Sequence, residues 1–167
     1  EISLGLVGSE MCIRDRHQTF DFIIVSGLLN EIEEPVDFLK SIKRLCKNCH
    51  TVIHVNVANA DSVHRLWAVE MGLIKNPCEA SERNKKFQQT TVFQMESLKQ
   101  TILESAEEGA IEILDLGSYF LKPFSHKQMM QCIEQGILTE TLIDGLDKMV
   151  KYFPEYGSEI YINYRMK

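Results

Sequence analysis

Long apolar runs are missing from this sequence, in which no stretch approaches the roughly 20 residues that a helix needs to span a bilayer. Clusters of basic residues are missing as well. The 167 residues carry 18 Lys and Arg against 24 Asp and Glu, for a formal net charge of -6. Nucleic acids and acidic membranes bind positive surfaces, so this balance argues against both as partners. We therefore expect no contact with nucleic acid or membrane, and the oligomeric state is left open.

The chain also lacks the cysteine pattern of a disulfide-stabilised secreted domain. Its five cysteines are an odd number and are scattered along the sequence, which favours free thiols in a reducing compartment. No basic segment precedes a long apolar stretch at the N-terminus, so the first residues do not resemble a secretory signal. These features predict a cytoplasmic location.

The first 16 residues, EISLGLVGSEMCIRDR, lack the periodicity of the rest of the chain. They resemble translated adaptor sequence of the kind found at the ends of assembled sequencing reads, and a flexible native tail is the alternative. We expect residues 1–16 to be a non-native or disordered tail, and residues 17–167 to form the folded part.

Strand and helix patterns alternate from Thr19 onward. Phe22–Val25 is a continuous apolar run, typical of a strand covered on both faces. Pro35 then suits the first turn of a helix, and Thr51–Val57 is a second strand rich in Val and Ile. The chain closes on an alternating strand at Ser158–Tyr164. The pattern predicts one α/β domain with the first two strands adjacent and parallel.

Two loops follow the carboxyl ends of the predicted parallel strands, where open α/β sheets bind ligands. The segments Phe20–Ile24, Leu28–Ile32 and Pro35–Leu39 are similar to the fourth strand and following helix of class I S-adenosylmethionine-dependent methyltransferases. Val57–Arg65 resembles the fifth strand of that family and the loop after it. Shorter counterparts of family segments are Ser97-Leu98, Lys122-Pro123-Phe124 and Glu159-Ile160-Tyr161.

The resemblance covers residues 19–167 and implies the C-terminal half of such a domain. The implied fold is α/β, a partial Rossmann-like sheet of the last four strands, with the final strand antiparallel inside the sheet and helices flanking it. The implied cofactor is S-adenosyl-L-methionine, and the implied activity of the intact protein is methyl transfer to a small molecule or metabolite. The Gly-rich loop that holds the cofactor in this family has only Gly5 and Gly8 as a weak counterpart, so the chain alone is expected to be inactive.

Seven residues near the predicted strand ends form the candidate site, and no metal is expected there. The resemblance gives each of them a role. Glu31 is the catalytic candidate, and the cofactor contacts are Ser26, Gly27 and Leu28. The contacts to the methyl acceptor are Asn59, His64 and Arg65. Glu31 stands where the family commonly has His, and its alternative role is to favour the N-terminus of the following helix. For His64 and Arg65 the alternative is a solvated helix face.

Cys46-Lys47-Asn48-Cys49-His50 spells C-x-x-C-H, the signature of c-type haem attachment. It falls at a predicted helix-to-strand corner, and no second Cys pair completes a zinc tetrahedron, so we expect free thiols on a surface turn. Two alternative functions remain: a non-catalytic α/β interaction module and, with less support, a c-type haem protein using Cys46, Cys49 and His50. A set of large apolar residues is predicted to lie in the core: Trp67, Met71, Met129, Met130 and Met149.

Overall fold

A computed structural model of the chain describes residues 18–79 and 92–167. Within them, four strands form one sheet in the order β1-β2-β4-β3. The strands are β1 Phe22–Ser26, β2 Val52–Ala58, β3 Ile111–Tyr119 and β4 Glu159–Met166. β1 and β2 are parallel, and β4 runs antiparallel between β2 and β3. The predicted parallel pair and the internal antiparallel final strand are therefore confirmed, whereas the expected tail, residues 1–16, lies outside the described residues.

Five helices accompany the sheet in the described ranges: α1 Pro35–Ile42, α2 Val63–Glu70, α3 Met95–Glu104, α4 His126–Glu134 and α5 Glu140–Lys148. Single turns of 3-10 helix lie at Leu28–Asn30, Lys43–Leu45 and Met149–Lys151. Local sequence sets several of the helix ends. Pro35 opens α1, and the predicted capping box before α4 is formed by Ser125 and Gln128. None of these helices, within 18–79 and 92–167, is long and apolar enough to cross a membrane.

One face of the sheet carries the hydrophobic core. Alternate residues of each strand point to this face because strand side chains have a period of two. The helices α1 and α3 pack over it and contact each other. The fully buried members of this core include Ile53, Val55 and Val57 of β2, Ile160, Ile162 and Tyr164 of β4, Leu39 of α1, and Leu98 and Ile102 of α3.

The opposite face of β1 is open to solvent. Phe22 and Ile24 alternate with the inward-pointing Ile23 and Val25, and their exposed fractions are 54% and 63%. β1 is also an edge of the described sheet. An apolar, unpaired edge strand is a site at which further chain or another molecule can add.

Three residues that the sequence assigned to the core lie at the surface. Trp67, Met71 and Met130 are exposed by 48%, 59% and 43%, whereas Met129 is buried as predicted. Helical spacing shows that a helix has an apolar face, but it does not show whether that face meets a core or a cavity. In α2 the apolar face borders a cavity, which is described below.

Gly157 allows β4 to start against the end of β3. A Cβ at this position would lie 2.5 Å from both the Ser118 Oγ and the Tyr119 carbonyl oxygen. We predict that Gly157→Ala lowers the free energy of unfolding by about 1–3 kcal/mol, as overpacking in tight sites does, when measured by urea denaturation.

The matched control for this substitution is Gly145→Ala in the middle of α5. A Cβ there meets nothing within 4 Å, and Ala is favoured over Gly inside a helix by about 0.5–1 kcal/mol. This variant should be unchanged or more stable than the native chain. Equal losses in the two variants would contradict the steric explanation.

Candidate functional site

A tight turn at the carboxyl end of β1 holds the three predicted cofactor contacts. Gly27 has a φ of 65°, a left-handed conformation that favours glycine, and its N–H donates to the Asn56 carbonyl at 2.8 Å. Ser26 is exposed, and Leu28 is 40% exposed at the start of a 3-10 turn. A Cβ on Gly27 would meet nothing within 4 Å, so open space borders the backbone here. The turn offers an approachable backbone, a hydroxyl and an apolar side chain together.

The β1 turn is fixed to the end of β2 by a buried amide. Asn30 is 1% exposed, and its Oδ1 accepts a hydrogen bond from the Ala58 N–H at 3.2 Å. Because Ser26 also pairs with Asn56 in the sheet register, the carboxyl ends of β1 and β2 meet at one edge. Glu31 follows this anchor directly, and its side chain is exposed.

Asn59 holds the start of β4 in place. It is 1% exposed, and its Nδ2 donates to the carbonyls of Glu155 and Gly157, both at 2.8 Å. Its Oδ1 accepts from the Asp61 N–H at 3.0 Å. Both amide hydrogens and the oxygen are thus used within the chain, so Asn59 acts here as a positioning residue, and a substrate contact by its side chain stays a prediction.

A cavity of about 520 Å³ lies between α2, the segment that follows α2, and the start of α4. Trp67 of α2 and Phe124 stack at the cavity with their ring centroids 5.7 Å apart. α2 starts after the carboxyl end of β2, and Lys122–Phe124 follow that of β3. The cavity therefore lies at the carboxyl edge of these strands, where open α/β sheets commonly bind ligands. The other residues lining it are His64, Arg65, Ala68, Met71, Leu73, Ile74, Lys122, Pro123 and Ser125–Gln128.

His64 and Arg65, the two predicted acceptor contacts on α2, both line this cavity. Burial, with the nearby charges of Lys122 and Arg65, lowers the pKa of His64 to about 4, so its imidazole is neutral at pH 7. The His64 Nδ1 is buried and has no hydrogen-bond partner among the described residues. The Arg65 guanidinium donates to the carbonyls of Pro77 and Glu79, which ties the segment after α2 to the helix.

The predicted site therefore divides into two groups along one edge of the sheet. The first group lies at the β1 turn and consists of Ser26, Gly27 and Leu28. The second group, His64 and Arg65, lines the cavity. The other two candidates belong to neither group: Glu31 follows the β1 turn, and Asn59 follows the end of β2. The cavity residues Trp67, Phe124 and Lys127 were not predicted from sequence. The sequence signal for this region is Lys122-Pro123-Phe124, a segment that belongs to the family resemblance and contains Phe124 itself.

The C-x-x-C-H motif lies on a turn between α1 and β2. Thr51 holds this turn by accepting from the Lys47 N–H at 3.0 Å and donating to the Phe20 carbonyl at 2.8 Å. Cys46 is half-buried against the core and Cys49 is exposed, both as free thiols. In the described part of the chain, no three His, Cys, Asp or Glu side chains are grouped so that they could hold a metal ion.

Comparison with solved structures finds methyltransferases. The chain is 13% identical to the plantazolicin methyltransferase BamL (TM-score 0.48; 95% of this chain and 57% of that one). It is 9% identical to an S-adenosylmethionine-dependent methyltransferase from Mesorhizobium loti (TM-score 0.46; 89% and 62%) and 14% identical to one from Archaeoglobus fulgidus (TM-score 0.45; 95% and 64%). The chain thus spans about three fifths of the length of these proteins. No family model and no curated protein matches it.

The low pKa of His64 predicts a pH dependence of stability. The unfolded chain takes up a proton on His64 near pH 6.5, whereas the folded chain does so only near pH 4. Stability is therefore lost as the pH falls from about 6.5 to 4, by up to roughly 3 kcal/mol for this group. We expect His64→Gln to remove this part of the slope in urea denaturation at a series of pH values. His50→Gln, at an exposed position on the C-x-x-C-H turn, should retain it; identical slopes in the two variants would rule out His64 as the cause.

The cysteine pair gives a test of the surface-turn interpretation. We predict that replacing Cys46 and Cys49 together by Ser changes the free energy of unfolding by less than about 1 kcal/mol, because Cys49 is exposed and Cys46 is only half-buried at the margin of the core. Metal content by mass spectrometry of the native protein should be unchanged by the replacement. Loss of a stoichiometric metal or haem would show that the motif is a binding site.

Proposed function

We propose that this chain is the C-terminal half of a class I methyltransferase domain, and that the intact protein transfers a methyl group from S-adenosyl-L-methionine to a small molecule. The observation that supports this most is the position of β4, antiparallel between β2 and β3. The sequence resemblance implied this arrangement in advance. The strand patterns alone do not specify this position, so its agreement with the resemblance supports the proposal.

The described residues fit one side of such a cofactor. The backbone at Gly27 borders open space that any Cβ would fill, Ser26 offers an exposed hydroxyl, and Leu28 offers an exposed apolar surface. These are the groups that would contact the methionine and adenosine parts at the carboxyl edge of the sheet. A Gly-rich loop that would supply further N–H donors does not occur in residues 18–79 and 92–167. We therefore propose that residues encoded upstream supply the other side.

Methyl transfer from this cofactor depends mainly on the alignment of the acceptor with the methyl group. When bound, the cofactor supplies a methyl group that is already activated by a sulfonium charge, so catalysis depends on holding the nucleophile in line with it. In this chain Gly27 and Leu28 would fix the cofactor, and Leu28 would also keep water from its apolar parts. The buried amide of Asn30 holds their turn against β2, which fixes the cofactor side relative to the cavity side.

The remaining site residues are assigned to the acceptor. We propose that His64 and Arg65 contact the acceptor in the cavity that they line, and that Asn59 acts by holding the loop from which α2 starts. Glu31, exposed beside the cofactor turn, is the candidate for an anchor or base. The free thiols and acidic composition suit a cytoplasmic enzyme of metabolites.

The exposed Phe22 and Ile24 favour one second candidate, a non-catalytic α/β interaction module that docks through the β1 edge. The two candidates differ in whether the completed domain binds S-adenosyl-L-methionine.

Calorimetry tests the proposal on two proteins. The 167-residue chain should bind S-adenosyl-L-methionine weakly or not at all. The same chain preceded by its upstream residues, on the order of 100 for the rest of such a domain, should bind it. A folded, extended protein that does not bind would favour the interaction module. Tight binding by the 167-residue chain alone would mean that residues 1–16 form a cofactor loop.

A pair of glycine variants in the extended protein locates the binding. Gly27→Val should weaken it at least about tenfold, because a β-branched residue is strained at positive φ and would fill the space beside the turn. Gly109→Val is the matched control. Gly109 has a φ of 76° and open space around it, but it precedes β3 at the opposite edge of the sheet. Equal loss in both variants would indicate general destabilisation.

A further inference from the structure

The cavity beside α2 has apolar walls that solvent reaches. Trp67, Met71 and Leu73 border it, and they are exposed by 48%, 59% and 69%. Ile74 and Phe124 continue the same surface. Large exposed apolar side chains grouped around a concavity mark binding sites more often than ordinary surface. The volume of about 520 Å³ falls within the roughly 300–1,000 Å³ typical of small-molecule pockets.

Cations line this cavity, although the Glu79 carboxylate lies close enough to Arg65 to act on its pKa. Arg65, Lys122 and Lys127 line it, and no Asp or Glu is among the described residues that do. The chain as a whole carries a net charge of -6, so the described part of the lining is more basic than the chain on average. Low-dielectric walls beside these cations strengthen their field inside the cavity.

His64 contributes a neutral ring to the wall of this cavity. Burial is the first cause that lowers its pKa, and the nearby charges of Lys122 and Arg65 add to it.

We propose that this cavity binds a small molecule with an apolar body and an anionic head group such as a carboxylate. The apolar body lies against Trp67, Met71 and Phe124, and the head group lies towards Lys127. That this small molecule is the methyl acceptor rests on the proposed function, whereas its binding to the cavity does not.

Trp67 supplies the readout, because it is the one Trp in the sequence and it lines the cavity. Three ligands with the same chain, octanoate, octan-1-ol and octylamine, are titrated at pH 7.5 against the 167-residue protein while the Trp67 emission is followed. Octanoate should bind at least about tenfold more tightly than octan-1-ol, and octylamine more weakly still. The net charge of -6 would by itself give the reverse order. Equal affinities, the reverse order, or an emission that none of the ligands changes would overturn the proposal.

A pair of charge reversals places the head group. Lys127→Glu should weaken octanoate binding at least about tenfold and leave octan-1-ol within about twofold. Lys99→Glu is the matched control, because Lys99 lies on α3 and does not line the cavity; it should leave both ligands within about twofold. Equal effects of the two reversals would mean that octanoate responds only to overall charge, and the cavity assignment would be wrong.

The outcomes separate this inference from the proposed function, because these titrations contain no S-adenosyl-L-methionine. Preference for octanoate, together with absent cofactor binding by the extended protein, would leave an anion-binding cavity in a domain that is not a methyltransferase. If octanoate is not preferred but the extended protein binds the cofactor, the protein would be a methyltransferase whose acceptor is of another class.

Discussion

The pairing of β4 with both of its neighbours is the constraint on which the structure depends. β4 lies between β2 and β3, and its inward residues Ile160, Ile162 and Tyr164 are completely buried under the helices. Since it runs against β2, its first residue pairs with the last residue of β2, Glu159 with Ala58. The chain must therefore return to the carboxyl end of β2 before β4 can begin. The return is closed by the Asn59 amide, which donates to two carbonyls of the turn before β4.

This closure explains how the polar residues at the edge are divided between fold and site. A loop buried at the end of a central strand has backbone polar groups that need partners. Asn59 donates to two backbone carbonyls there, and Asn30 accepts from the Ala58 N–H. Both are about 1% exposed. Side chains that can meet a ligand stand further out, at the glycine turn after β1 and on α2. The buried amides of Asn30 and Asn59 therefore position the two halves of the candidate site, whereas other side chains line it.

Different parts of this arrangement could be predicted from sequence to different degrees. The parallel pair of β1 and β2 could be predicted from the strand patterns, and the antiparallel position of the final strand inside the sheet was implied by the family resemblance. The capping box at Ser125 could be predicted because its hydrogen bonds join residues three apart. The cavity could not, because Trp67 meets Phe124 only through tertiary packing. An apolar helix face has the same spacing whether it borders a core or a cavity. For the same reason a buried Asn in a strand-end loop cannot be told from a ligand contact until its partners are known.

Burial is the main reason that His64 is uncharged in the cavity wall. It lowers the pKa of this imidazole to about 4, and the nearby charges of Lys122 and Arg65 add to the effect. Near pH 7 His64 therefore contributes a neutral ring beside the stacked side chains of Trp67 and Phe124. This wall forms where α2 meets the segment after β3, so the shape and polarity of the cavity depend on tertiary packing and not on any one segment of the sequence.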